Sequence, residues 1–198
     1  MSIENRRLIE QSRASLGRQP RPFLEQMAWV SAVADRDLYL CCNMWFDRNG
    51  AASDANYMYL GGRFLPVGTS VRLIGASRRS VTFVTAKAKV TDTPYQLSFD
   101  YGTDRMNDES YFRLIFRESS PLETITSDRH SARPFIESGK LAVNMTRSEA
   151  IMARGYPPFH TTPGIDADEW LYYQSRGSVR YVRFRDGVIS SIEDGMPP

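Results

Sequence analysis

Between Asn144 and Pro158 the chain spells out both ends of one short helix, NMTRSEAIMARGYPP. Thr146-Arg147-Ser148-Glu149 is a capping box. In it the threonine hydroxyl accepts from the Glu149 amide, and the Glu149 carboxylate accepts from the Thr146 amide. Met145 before the cap and Ala150 after it supply a small hydrophobic staple. The helix continues through Ile151 and Met152 to Arg154. Gly155 suits a left-handed residue just past the end, and Pro157 and Pro158 prevent continuation.

Beyond this helix the apolar residues alternate instead of cycling. DEWLYYQ leads through the turn SRGS into VRYVRFR, and Asp186-Gly187 then turns the chain into VISSIE. Along the middle segment Val182 and Phe184 share one face, while Tyr181, Arg183 and Arg185 share the other. This pattern predicts an antiparallel meander with one buried and one wet face, an α+β unit over residues 135–198. Trp170, Tyr172, Tyr173, Tyr181 and Phe184 supply its rings. Most of them fit a core, and those that alternate outward fit an interface, where Tyr and Trp are enriched.

The earlier chain also reads as strands, but less regularly. DLYLCCNMWF is one apolar and aromatic run ended by DRNG. NYMYLGGRFLPVGTSVRLIGASRRSVTFV holds three short strands separated by glycine-containing turns. Val71 and Leu73 alternate with polar neighbours, as a half-buried strand requires, and YQLSFDYG is a further candidate. Short strands at this spacing suggest a small barrel or curled sheet of SH3-like size over residues 36–102. Residues 1–35 form a helical arm: a weakly amphipathic segment from Ile3 to Leu16, then a helix from Pro22 to Ala34. NDESYFRLIFRES is a helix capped by Asn107 or Asp108, with Tyr111, Leu114 and Ile115 on one face. It opens a helical linker, 103–134, that continues through the polar SPLETITSDRHSARP.

Composition narrows the function classes. The 25 basic and 23 acidic residues leave a formal charge of +2, without the basic excess of a nucleic-acid-binding domain. The N-terminal arm, with Arg6, Arg7, Arg13, Arg18 and Arg21, is nonetheless locally basic. No apolar run reaches the roughly 18 residues of a membrane span. The first residues show no apolar h-region, so no secretory signal is expected, and the chain reads as cytoplasmic if complete. Cys41 and Cys42 are adjacent. In a strand one would be buried and the other would face away, both reduced, and no disulfide framework is available.

Motifs that carry chemistry are scarce. Glycine-rich phosphate loops, paired Cys-x-x-Cys, His-Glu-x-x-His and Gly-x-Ser-x-Gly are all missing, so no cofactor and no metal is expected. Asp47 and Asp54 flank a turn and read as solvated carboxylates. Of the two histidines, His130 lies in the polar connection and His160 in YPPFHTTPG, beside Thr161 and Thr162. A histidine in a loop more often bonds backbone groups than acts as a base, which needs an orienting partner. Asn144-Met145-Thr146 matches the glycosylation sequon, but the cap already accounts for Thr146.

Met145-Thr146, Gly155-Tyr156-Pro157, Trp170-Leu171-Tyr172 and Phe184-Arg185-Asp186-Gly187-Val188 together resemble the small domain of the BamE type. That family is named for a lipoprotein of the outer-membrane β-barrel assembly machinery. Leu65 to Val71, LPVGTSV, is similar to the start of SH3-like domains found ahead of such units. The resemblance implies a bacterial cell-envelope protein without an active site, working through protein contacts. The expected function is thus non-enzymatic protein binding or scaffolding, with an unidentified protein partner. Tyr156, Pro157, Pro158, His160, Tyr173, Tyr181 and Arg183 are the candidate contact residues. Two alternatives stand beside it: a small hydrolase or transferase with a site between the domains near His160 and Asp166, and a cytoplasmic regulator that binds nucleic acid through the basic arm.

Overall fold

A computed structural model describes residues 28–33, 36–54, 57, 61–77, 79–89, 92–100, 107–162, 164–175 and 177–197. The basic arm, and the expected helix from Ile3 to Leu16, lie outside the described residues. Of the second expected helix, α1 (Ala28–Val33) is described. Strands β1 (Leu38–Leu40), β2 (Met44–Phe46), β3 (Ala51–Ser53), β4 (Arg63–Leu65), β5 (Ser70–Ser77), β6 (Ser80–Thr85) and β7 (Tyr95–Ser98) come after it. Next are α2 (Asp108–Ile115) and β8 (Phe116–Arg117), then two 3-10 turns at Pro121–Thr124 and Ser127–Ala132. The last elements are α3 (Arg133–Glu137), α4 (Arg147–Arg154), β9 (Glu169–Ser175), β10 (Ser178–Arg185) and β11 (Val188–Gly195). The protein is a mixed α+β fold.

Three sheets are present among the described residues. The largest runs β3-β7-β6-β5-β1-β8, with β3 and β7 parallel and its other pairs antiparallel. β2 and β4 form a separate antiparallel pair. The third sheet is the three-stranded antiparallel meander β11-β10-β9. The three strands expected between Asn56 and Val84 on grounds of turn spacing correspond, among the described residues, to β4, β5 and β6. In β5, Val71 and Leu73 are buried as their alternation requires.

One expected strand divides. DLYLCCNMWF is β1 and β2, which belong to different sheets, because the chain bends at residues 41–43. The bend ends the two-residue alternation, so Cys41 and Cys42 do not face opposite ways: both are buried. The Cys41 amide donates to the Ile115 carbonyl at the end of α2 (2.8 Å) and the Asn43 amide to the Met152 carbonyl of α4 (3.0 Å). Asp54 departs from expectation too. It is buried, and its carboxylate accepts from the Asp100 amide (3.0 Å).

The main apolar cluster runs from Trp29 to Ile189 and takes in residues of the large sheet, α2, α4 and the meander. Phe46, Phe83, Tyr95 and Phe116 meet within it at ring separations of 4.9 to 5.8 Å. α2 is capped by Asn107, whose side chain accepts from the Ser110 amide, and it buries Tyr111, Phe112 and Ile115. Between α2 and α3 the polar connection is ordered into the two 3-10 turns. Arg129, in the second of them, donates to both Glu149 oxygens and to the Asn144 carbonyl.

Candidate functional site

Both halves of the capping box are present at α4, with Thr146 Oγ1 accepting from the Glu149 amide (3.2 Å) and Glu149 accepting from the Thr146 amide (2.7 Å). Burial alone would raise the Glu149 carboxyl. The Arg129 guanidinium and the Thr146 donors override it and hold the group below the usual carboxylate range. At the other end Gly155 has φ 86° and ψ −177°, which is not the left-handed helical conformation but the extended positive-φ region that only glycine reaches. A Cβ here would also stand 2.1 Å from Tyr57 Oη. Glycine therefore serves twice, turning the chain and admitting a buried tyrosine. Tyr57 Oη donates to the Tyr156 carbonyl (3.3 Å), and Tyr172 Oη to the Gly155 carbonyl (2.8 Å).

Tyr156 lines a cavity of about 470 Å³ between β8, the first 3-10 turn and α4. Its floor is Cys41, Met152 and Tyr156, all buried, with the half-buried Ile151 beside them. Arg117, Glu118, Ser119, Thr124 and Ser148 surround the mouth and are exposed. Burial first, and then the Cys41 thiol, push the Tyr156 phenol well above its ordinary value, with the Arg117 charge pulling weakly the other way. The phenol therefore remains a hydrogen-bond donor at neutral pH. Burial likewise raises the Cys42 thiol, so that sulfur stays protonated behind Cys41, 2.7 Å away.

The seven residues expected to make contacts separate into two places. Tyr156 lines the cavity, and Pro157 and Pro158 are buried beneath the same loop, off the accessible surface. His160 is exposed and stacks on Tyr173, with ring centroids 5.9 Å apart and planes 20° from parallel. Tyr173, Tyr181 and Arg183 occupy the face of the meander opposite Trp170, Val182 and Phe184, all three of which are buried. Tyr181 Oη donates to the Met196 carbonyl (3.1 Å), while Arg183 pairs with Glu169 (2.8 Å) and Glu193 (2.7 Å).

Cys41 and Arg117 are the site residues that the pattern of the sequence does not single out. The first looks like strand interior, and the second is one arginine among many. The pairing of β1 with β8, Tyr39 against Arg117 and Leu40 against Phe116, with the Cys41 amide bonded to the Ile115 carbonyl, places them together. Among the described residues no group of three or more His, Cys, Asp and Glu side chains is arranged to hold a metal, and no helix is long and apolar enough to cross a membrane. The chain matches no family model, no curated protein and no solved structure.

Proposed function

We propose that this chain is a non-enzymatic protein-binding or scaffold protein of the bacterial cell envelope, with an SH3-like first part and a BamE-like second part. Its partner is a protein, and its contact surface is the outer face of the meander. One observation carries the reading. Val182, Phe184 and Trp170 commit one face of the sheet to the core, while half-buried Tyr173 and Tyr181 and exposed Arg183 lie on the other around buried Leu171 and Val179, with exposed His160 stacked on Tyr173. Aromatic rings and arginine on a rigid sheet suit partner recognition, because they bring contact area at small entropic cost. The order of the capped helix, the Gly-Tyr-Pro turn, the Trp-Leu-Tyr strand and the Asp-Gly hairpin supports the BamE-like half of the proposal.

The alternative of a hydrolase or transferase working through His160 and Asp166 gains nothing from the cavity, whose walls contain neither residue. The nucleic-acid alternative rests on the basic arm, outside the described residues. A partner captured from envelope extract by the wild-type chain provides the test. Recovery of that same partner falls by about tenfold or more with the paired substitution Tyr173→Ala and Arg183→Ala. Tyr156→Ala paired with His160→Ala separates the loop from the sheet. Equal recovery by all three baits removes the meander face as the contact site.

A further inference from the structure

The cavity beneath α4 carries groups that a flat protein-binding face does not use. Arg117 makes no hydrogen bond or ion pair with another side chain among the described residues, yet its charge reaches the buried Tyr156 and Cys42. Arg72, Arg113, Arg129, Arg133, Arg147, Arg180 and Arg183 meet carboxylates, whereas among the described residues Arg117 shares the lack of one with Arg36, Arg48, Arg63, Arg79, Arg154 and Arg185, and among these it is the one that lines the cavity. The Tyr156 hydroxyl likewise has no acceptor among the described residues, although the residue is only 6% exposed. A guanidinium and a phenol, both with open donors, thus border one concave space. Ile151 and Met152 supply an apolar stretch of its wall, while Glu118, Ser119, Thr124 and Ser148 add polar groups at the mouth.

We propose that this cavity binds a small monocarboxylic acid with an apolar body. The carboxylate sits between the Arg117 guanidinium and the Tyr156 hydroxyl, and the body lies against Ile151 and Met152. A planar guanidinium matches a carboxylate in shape, and a charge-assisted bond bordering a buried floor is stronger than one in open water. The volume falls within the range of small-molecule pockets, roughly 300 to 1,000 Å³. Glu118 at the mouth selects against a second acidic group by like-charge repulsion. The carboxylate has two conceivable sources: a free organic acid, or the C-terminal carboxylate of an apolar peptide. The inference does not depend on the meander face and survives its failure.

Calorimetric titration of the full chain tests it with four probes: 4-phenylbutyrate, its neutral amide, an acetylated peptide ending in Leu-Phe carboxylate, and the same peptide amidated. At least one acid binds saturably, and the matching amide binds at least about tenfold more weakly. Arg117→Gln brings the acid down to the affinity of its amide. Because Arg117 is exposed, this variant keeps its melting temperature. Ile151→Trp fills the cavity and abolishes binding of both forms. Saturable binding by the free acid assigns the small molecule as ligand, whereas binding by the peptide acid alone assigns a chain terminus. Three results overturn the proposal: no saturable binding by either acid at millimolar concentration, equal affinity for acid and amide, or an Arg117→Gln variant that binds the acid as tightly as wild type.

Discussion

The meander and the six-stranded sheet solve the same problem in opposite ways. In the meander the spatial order β11-β10-β9 follows the chain order, and each pair of strands is separated by two residues. In the larger sheet the order β3-β7-β6-β5-β1-β8 brings together segments far apart in sequence, including one parallel pair. Local pairings need only the right turn and the right alternation. Distant pairings need something that holds remote segments in place. Asn43 is that device. It is fully buried, its amide nitrogen donates to the Ile136 and Ala153 carbonyls, and its side-chain oxygen accepts from the Val67 amide (2.8 Å). One side chain thus joins the bend after β1 to α3, α4 and the turn before β5.

The comparison is most directly broken at that residue. Asn43→Ala leaves the Ala153 carbonyl and the Val67 amide without the side-chain partner in a dry interior, at about 1 to 3 kcal/mol for each such group, while the Ile136 carbonyl keeps the Gly139 amide. We expect a total loss of about 4 kcal/mol, read as a lower urea midpoint, with near-ultraviolet dichroism reporting loosened packing. A loss under about 1 kcal/mol would mean that the large sheet holds its order without this tie.

Glycines measure the same contrast at a smaller scale. Gly155→Ala forces both a glycine-only backbone region and a clash with Tyr57 Oη, for an expected loss of about 3 kcal/mol. Gly187, at φ 80° beside Asp186 at φ 53°, completes the tight turn of the last hairpin, and a Cβ there meets only open space. Gly187→Ala costs about 1 kcal/mol, the backbone penalty alone. Similar losses at the two sites would show that conformation, and not the close approach of Tyr57, sets the requirement at Gly155.

These positions also show what can be read before folding. Thr146 with Glu149 and Asp186 with Gly187 interact within four residues, so the meander and its capped helix are legible in the sequence, down to the burial of Val182 and Phe184, although Val179 on the Tyr181 side of β10 is buried as well. Asn43 reaches partners 93 and 110 positions away, and nothing in its neighbourhood announces them. Cys41 looks like the middle of a strand because its apolar neighbours continue on both sides. The bend that buries it is imposed by α2 and α4, through the carbonyls of Ile115 and Met152. The cavity is hidden for the same reason, since Arg117 acquires its meaning only from Tyr156, on a distant loop. Tyr156 could be nominated from the crowded loop, but its direction could not.

The pH dependence sharpens the comparison at the capped helix that precedes the meander. Glu149 belongs to the local capping box and is also held by Arg129 from the preceding turn. Its folded-state value lies below the ordinary 4.5, so between the two values the unfolded chain binds more protons than the folded one. The stabilisation is complete above about pH 4.5 and is lost as the pH falls through the depressed value. Arg129→Gln removes the main opposition to burial. The variant should lose about 2 kcal/mol at neutral pH, and its acid transition should begin at a higher pH than that of the wild type. Parallel acid transitions for the two proteins would assign the depression to the Thr146 cap alone.

The smallest stability effect belongs to the outer face of the meander. Arg183 is exposed, and its guanidinium is shared between Glu193 and Glu169, which raise its affinity for the proton. Exposed pairs of this kind gain little, because water screens them and the side chains lose freedom to form them. Arg183→Ala should therefore leave the melting temperature unchanged and insensitive to added salt, while reducing recovery of the partner that the wild-type chain captures. The two readouts together decide what the face is for. A drop in melting temperature with unchanged recovery would make Arg183 a staple of the sheet, like the buried residues behind it. Unchanged stability with lost recovery would mark a surface whose side chains are free of structural duty, which is what the contrast with Asn43 leads one to expect.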